Sequence, residues 1–332
     1  MHKILAVIGL CAMYLHTAKS KWTLGRVYIL AAIVAFTMNN LTRVLRITYR
    51  NVRLTSTAII QNVVYADLEE SRTPLSDAMH IHIQPTRPCN FRGGQFVYLR
   101  FPHLGWNSIF QTHPFYVSWS YKDKQGGDIG VCIVEKKRGF TKQLALVDTV
   151  TGGSNKPVKV KVLIEGPYGK RLPVERHQNI LLFATGIGIA GLTSVVGEVF
   201  QNRHQHQHRQ AAGRITLFWE LNTGRHIAWA SDFWGELLTQ DVDRKLRIEI
   251  YIKDDESRIQ IPGARVQVHR KEMPVEQLIQ SEMRSNKGST LMCVCARDAI
   301  CVRVRGAAAD YPDRLLDLKE LEFRPGTQKT SG

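Results

Sequence analysis

Ile180 to Phe183 form an apolar run that leads directly into Ala184-Thr185-Gly186-Ile187-Gly188-Ile189-Ala190-Gly191, followed by a segment predicted as a helix from about Ala190 to Gln201. A strand, a glycine loop and a helix in that order constrain the fold strongly. A strand that is apolar on both faces belongs in a parallel sheet, and a parallel strand needs a crossover helix before its neighbour. Gly186 and Gly188 let the backbone come close to a diphosphate, and the following helix points the positive end of its dipole at it. Thr185, Gly186, Ile187 and Gly188 are therefore candidate dinucleotide-binding residues.

The rest of the second half fits this reading. Ile180–Ala184, Arg214–Leu221 and Leu246–Ile252 are predicted strands, and strands alternating with helices imply an α/β layer arrangement. From about residue 50 to residue 168 the texture differs. Thr55–Val64, Ala78–Gln84, Gln95–Phe101, Asp128–Glu135 and Val160–Ile164 read as strands, the last of them opening the α/β pattern. Pro85, Pro88, Gly93-Gly94, Gly105 and Gly126-Gly127 punctuate the earlier ones, and a helix is predicted only at Thr141–Val147. Short strands with frequent turns predict a small antiparallel β-barrel, with a boundary near Gly169 to Arg176.

The N-terminus is apolar in two stretches, Ile4–Leu15 and Val27–Met38, each short of the roughly 20 residues that cross a bilayer. Arg43, Arg46, Arg50 and Arg53 after the second stretch would anchor it on a cytoplasmic face, which puts everything beyond about residue 50 in the cytosol. Ile4–Tyr14 behind Lys3 also reads as the apolar part of a secretory signal. His2 and His16 are fourteen residues apart, so on a helix they share one face about 21 Å apart, a spacing suited to two stacked haem irons. Each iron would need a second histidine, and the second apolar stretch has none.

The formal charge of +16 comes without a zinc-finger, basic-zipper or RNA-binding signature, so the basic surface is assigned to an anionic membrane face or to solvent and not to nucleic acid. Six scattered cysteines exclude a disulfide scaffold and fit a reducing compartment. The stretch His204-Gln205-His206-Gln207-His208 reads as a solvated loop.

Two further segments point to a flavin. His113-Pro114-Phe115-Tyr116-Val117-Ser118-Trp119-Ser120 follows a glycine-led strand, Gly93 to Leu99. Phe115 and Tyr116 offer an apolar wall, while His113 and Ser118 or Ser120 offer hydrogen-bonding groups. Lys137-Arg138-Gly139-Phe140-Thr141-Lys142 is a cationic glycine turn opening a helix, suited to a diphosphate. The order of these pieces resembles the ferric reductase branch of the ferredoxin-reductase-like flavoproteins, in which His-Pro-Phe begins the flavin motif. Glu165-Gly166-Pro167-Tyr168-Gly169 resembles the interdomain linker of that family. Leu291 to Arg297 resembles its terminal strand, with Cys295 at the conserved cysteine and Ala296-Arg297 where the family has Gly-Pro. The chain ends in Gly-Thr-Gln-Lys-Thr-Ser-Gly where the family ends in a flavin-stacking aromatic residue.

The resemblance implies a membrane-anchored α/β protein in three parts: two transmembrane helices over 1–49, an antiparallel β-barrel binding FAD over 50–172, and a parallel-sheet α/β domain binding NADPH over 173–332. The helices would correspond to the last pair of a larger family set, making the chain a truncated member, with haem b held only if the missing helices supply histidines. It further implies FAD contacts from His113, Pro114, Phe115, Tyr116, Val117, Ser118, Ser120, Gly139, Phe140 and Thr141. Nucleotide contacts would come from Thr185, Gly186, Ile187, Gly188, Arg225 and Arg297. Arg225, in Asn222-Thr223-Gly224-Arg225, is placed to read a 2′-phosphate, and Cys295 would be the residue beside the reacting rings. The expected activity is transfer of electrons from NADPH through FAD to ferric chelates. A superoxide-forming NADPH oxidase and a non-catalytic flavin-binding membrane module stay open as alternatives.

Overall fold

A computed structural model describes residues 2–17, 24–51, 56–63, 77–104, 111–137, 139–144, 158–205, 213–253, 265–285, 288–312 and 315–322. Arg138, the His206–Gln210 part of the histidine-rich stretch and the C-terminal Gly-Thr-Gln-Lys-Thr-Ser-Gly lie outside the described residues.

Residues 1–52 form one unit and 53–332 another. The first contains α1 (His2–Thr17) and α2 (Leu24–Arg50). At 27 residues α2 is the one described helix long and apolar enough to cross a membrane, whereas α1 has only 16. Sequence reading predicts two membrane helices; one candidate span is observed. The shortfall is in length, since 16 residues at 1.5 Å each reach about 24 Å, less than the ~30 Å hydrocarbon layer.

The second unit begins with antiparallel sheets. β1 (Thr57–Asn62), β2 (Ala78–Gln84), β5 (Trp119–Lys122), β6 (Asp128–Glu135) and β7 (Val158–Lys161) form one, in the order β5-β6-β2-β1-β7. β3 (Phe96–Arg100), β4 (His113–Tyr116) and β8 (Leu163–Tyr168) form the other, with β3 between its two partners. Ala58, Ile60, Ile81, Ile83, Val97, Leu99, Val134 and Ile164 from both sheets pack into one core, so the predicted barrel is two sheets closed over shared apolar side chains. Alternation explains this: Ala58 and Ile60 are buried while Ile59 and Gln61 between and beyond them are exposed. The predicted strand Val160–Ile164 is a correction. It divides at Val162, whose N–H donates to Ser56 O (3.1 Å), so its halves join different sheets of the antiparallel part and neither belongs to the parallel sheet.

The parallel sheet has the order β12-β11-β10-β9-β13-β14, comprising β9 (Asn179–Thr185), β10 (Arg214–Leu221), β11 (Leu246–Ile252), β12 (Val266–His269), β13 (Thr290–Cys295) and β14 (Leu316–Glu320). β9 and β13 are buried at every residue, as expected for central strands covered on both faces. The covering helices are α3 (Ile189–Gln205), α4 (Ser231–Gln240), α5 (Val275–Ser285) and α6 (Asp298–Ala308). From β9 the chain proceeds outward through β10, β11 and β12, then returns to place β13 on the other side of β9. The crevice beyond the carboxyl ends of β9 and β13 is therefore the topological switch point, where open α/β sheets bind ligands.

Candidate functional site

Thr185 ends β9 and Cys295 ends β13, with Ala184 paired to Cys295 in register. Residues Gly186–Gly188 make a turn of 3-10 helix that feeds α3. Gly186 has φ +48, and nothing lies within 4 Å of the place a Cβ would take, so this left-handed position stays open toward a ligand. Its carbonyl accepts from Trp219 Nε1 at 2.9 Å, which pins the turn to β10. Thr185 Oγ1 accepts from Arg297 N at 2.8 Å, joining the two strand ends. Ile187 is half-buried and Gly188 buried. These residues fit a dinucleotide diphosphate: open backbone, no acidic side chain in the first turn of α3, and a helix dipole behind it.

Gly186, Gly188 and Gly191 stand at Gly-x-Gly-x-x-Gly spacing, and Gly191 has a distinct role. A Cβ there would stand 3.3 Å from Cys295 Sγ and 3.3 Å from the Tyr116 ring. The end of β4, the start of α3 and the end of β13 thus converge on one point, joining the antiparallel and parallel parts. Tyr116 OH donates to Glu322 O at 2.8 Å, bringing the segment after β14 to the same point. Cys295 is wholly buried, and burial pushes its thiol far above the ordinary range, so it stays protonated at neutral pH.

On β4, period-two alternation sends neighbouring aromatics apart. Phe115 packs against the antiparallel core and Tyr116 against the core of the parallel part, so only one of the two predicted wall residues faces the convergence point. His113 stacks on Phe140 with ring centroids 3.5 Å apart and 12° between planes, which unites the two predicted flavin segments. Its Nε2 is buried without a hydrogen-bond partner among the described residues. A buried imidazole nitrogen with no protein partner is an atom left for a ligand. Pro114 is half-buried opposite Tyr98. Gly139 has φ +93 with open space around it, and Thr141 Oγ1 accepts from Lys137 N at 2.8 Å to close the turn. This set fits a flavin nucleotide.

The other predicted flavin contacts are not brought to His113. Val117 is buried in the antiparallel core. Ser118 is fully buried and its hydroxyl accepts from Ile133 N at 3.2 Å, bridging β6. Ser120 lines a separate open cleft with Trp119, Glu198 and Phe233. Arg225 is exposed just past β10, and Arg297 pairs with Glu220 across the crevice. Both arginines lie at carboxyl ends of the parallel strands.

His2 and His16 lie on the same helix, α1, with His16 exposed. α2 contributes no histidine, and no group of three or more metal-ligating side chains occurs among the described residues. Among the described residues, the second histidine that each haem iron would need is thus not supplied by α2.

Sequence reading did not single out Glu220, Glu198, or the Asp77, His80, His226 and Trp229 cluster. Glu220 had one available signal, an acidic residue at the end of the strand after a glycine loop.

Burial lowers the proton affinity of His80, His82, His103 and His113 below the ordinary 6.5. The unfolded chain then binds more protons than the folded one as the pH falls through 6.5, so stability is full above that value and declines below it. A melting-temperature series is expected to be flat from pH 8 to about 7 and to fall on acidification. A flat profile down to pH 5 would show that these imidazoles titrate normally.

Residues 61–172 match the FAD-binding domain family and residues 177–297 match the ferric reductase NAD binding domain family. Ferric reductase transmembrane component 3 of Saccharomyces cerevisiae is 30% identical over 169 residues, which cover 50% of this chain and 20% of that protein. Respiratory burst oxidase homolog protein B of Solanum tuberosum is 22% identical over 258 residues, covering 70% of this chain and 27% of that one. The matched region thus spans about a fifth to a quarter of these relatives' lengths. The solved ferredoxin-NADP+ reductase of Plasmodium falciparum with 2′P-AMP superposes with a TM-score of 0.50 at 12% identity, over 80% of this chain and 95% of that one, a likeness of fold alone.

Proposed function

We propose that this chain, whose residues 61–172 match the FAD-binding domain family and 177–297 the ferric reductase NAD binding domain family, is an NADPH-dependent flavoprotein reductase whose acceptor is a ferric chelate. The observation that carries this reading is the convergence of Tyr116, Gly191 and Cys295 where the antiparallel and parallel parts meet at the switch point. When bound, FAD would supply the redox chemistry that links a two-electron hydride donor to a one-electron acceptor.

The protein's own groups hold and orient. His113 supplies the unpaired imidazole nitrogen, and the turn at Lys137 to Thr141 supplies open backbone and positive charge for a diphosphate. Thr185 to Gly188 receive the diphosphate of NADPH, with Arg297 steadied beside them by Glu220. Arg225 reads the 2′-phosphate. Cys295 and Tyr116 close the meeting point with uncharged groups and exclude water from it, which favours transfer between rings over side reactions.

The division into 1–49, 50–172 and 173–332 assigns anchoring, FAD binding and NADPH binding in turn. In this reading α2 crosses the bilayer of the plasma membrane, with α1 beside it, and the basic residues Arg43, Arg46 and Arg50 hold its end on the cytosolic side. A haem relay would need histidines that α2 does not carry.

The match to a plant respiratory burst oxidase over 70% of the chain favours one second reading, a superoxide-forming NADPH oxidase. Oxygen consumption measured against ferric-chelate reduction separates the two. The first test is spectroscopic and anaerobic. The purified full chain in detergent is expected to show flavin absorbance near about 450 nm that NADPH abolishes. Flavin that NADPH leaves oxidised would make the chain a binding module.

A further inference from the structure

Arg225 follows β10 on a segment, Gly224–Ala230, that is wound as a 3-10 helix. A short 3-10 turn holds its shape poorly by itself, yet this one is tied to the antiparallel part by three hydrogen bonds. Asp77, just before β2, accepts from His226 Nε2 at 2.9 Å on one carboxylate oxygen and from Trp229 Nε1 at 2.9 Å on the other. His80, on β2, bonds through Nε2 to the carbonyl of Trp229 at 2.8 Å. The His226 and Trp229 rings stack, with centroids 4.1 Å apart and 24° between planes, so both donors approach the carboxylate as one unit. Trp229 and Ile227 are buried while Arg225 is exposed, so the segment has an anchored face and a presented residue.

We propose that Asp77 and His226 are positioning residues for NADPH selectivity: they touch no nucleotide, but fix the segment from which Arg225 meets the 2′-phosphate. The inference rests on the reading of Arg225 as the phosphate-binding residue. A flexible arginine binds a phosphate less well than one whose backbone is already placed, because ordering it takes from the binding energy. His226 adjoins Arg225 directly, and His226 N donates to Thr223 O at 3.2 Å, so displacement of the imidazole moves the backbone on both sides of Arg225. The two ends of the latch belong to different domains. The selectivity of the nucleotide half is thereby set from the flavin half.

The test uses the full chain in detergent and two probes, 2′P-AMP and 5′-AMP, titrated by calorimetry, so that the readout does not require flavin turnover. The wild-type protein is expected to bind 2′P-AMP more tightly than AMP, and Arg225→Ala to abolish that preference. Asp77→Asn and His226→Ala are each expected to weaken 2′P-AMP by about 5-fold, the size of one hydrogen bond, with AMP binding changed much less. His226→Gln keeps an N–H donor toward Asp77 and is expected to restore most of the affinity. In an Arg225→Ala background, Asp77→Asn should have no further effect on the preference.

If Arg225→Ala lowers 2′P-AMP binding while Asp77→Asn and His226→Ala leave it unchanged, the latch does not position Arg225 and the inference is overturned alone. If Arg225→Ala leaves 2′P-AMP unchanged, the reading of Arg225 fails and the inference falls with it. Equal losses for AMP and 2′P-AMP across all three latch variants, His226→Gln included, would reduce the latch to general structure and also overturn it.

Discussion

His113→Ala is expected to yield folded protein that retains less than about a tenth of the wild-type flavin, corresponding to a loss of roughly 30- to 70-fold in FAD affinity. Two contributions combine. The imidazole carries the buried Nε2 that no described protein group satisfies, so alanine removes a bond to the cofactor worth about 1–1.5 kcal/mol. The ring also stacks on Phe140 at 3.5 Å and thereby sets the angle of the turn from Lys137 to Thr141 against β4. Losing the stack loosens that turn at a further cost of about 1 kcal/mol. The check is the ratio of flavin absorbance to protein after purification, followed by titration of added FAD into the apoprotein. His113→Gln, which keeps a hydrogen-bonding group without the flat ring, should fall between the two. Full flavin occupancy in the alanine variant would move the flavin site away from β4 and the turn after β6.

Burial explains which parts of this arrangement were legible in the sequence. β9 and its loop were readable because a strand apolar on both faces has few alternatives, and glycines at a strand end mark a close backbone approach. β1, β2 and β6 were readable by alternation or by continuous apolar residues. By its side-chain pattern Val160–Ile164 reads as one strand that runs on through Val162, while the break lies in the backbone bond to Ser56. β12, β14 and the helices α4 to α6 were not predicted at all. β12 and β14 have four and five residues and sit outside the centre of the sheet, where burial is partial and the pattern short.

The candidate site was legible where chemistry is local and obscure where it is assembled. The two flavin segments and the glycine loop each occupy a short stretch of chain. Their convergence does not: Tyr116, Gly191 and Cys295 meet only through the packing of three elements. The resemblance supplied the list His113 to Ser120, but alternation then divided it, sending Phe115 and Val117 into the antiparallel core and Ser118 toward β6. Asp77 and His226 are 149 positions apart, and no periodicity connects them.

Glu198→Ala is expected to destabilise residues 53–332 by about 2–3 kcal/mol, because it removes a buried carboxylate and leaves the Gly93 N–H without its acceptor. Glu198 is on α3 and only 4% exposed. One oxygen accepts from Gly93 N at 2.7 Å, and the other is faced by Arg171 Nε at 3.3 Å and Arg92 at 3.7 Å. One turn earlier, Ser194 Oγ accepts from Gly94 N at 3.0 Å. These bonds make α3 grip the Gly93-Gly94 turn that opens β3, so the helix behind the dinucleotide loop also fastens the flavin-side sheet. Alanine would strand the buried Gly93 N–H beside a small void, while Arg171, half-exposed, keeps Glu175 at 3.5 Å and Arg92 stays partly in solvent. A melting temperature lower by about 4–9 °C is expected for a unit of this size. Glu198→Gln, whose amide oxygen still accepts from Gly93, should cost about 1–2 kcal/mol, the charge-assisted part of the interaction. Ser194→Ala combined with Glu198→Ala should lose less than the sum of the two, since both hold the same turn. A shift under about 2 °C for Glu198→Ala would show that the two halves are held without this contact, through Trp119 on Phe233, Tyr116 beside Gly191 and the hydrogen bonds of Asp77 and His80.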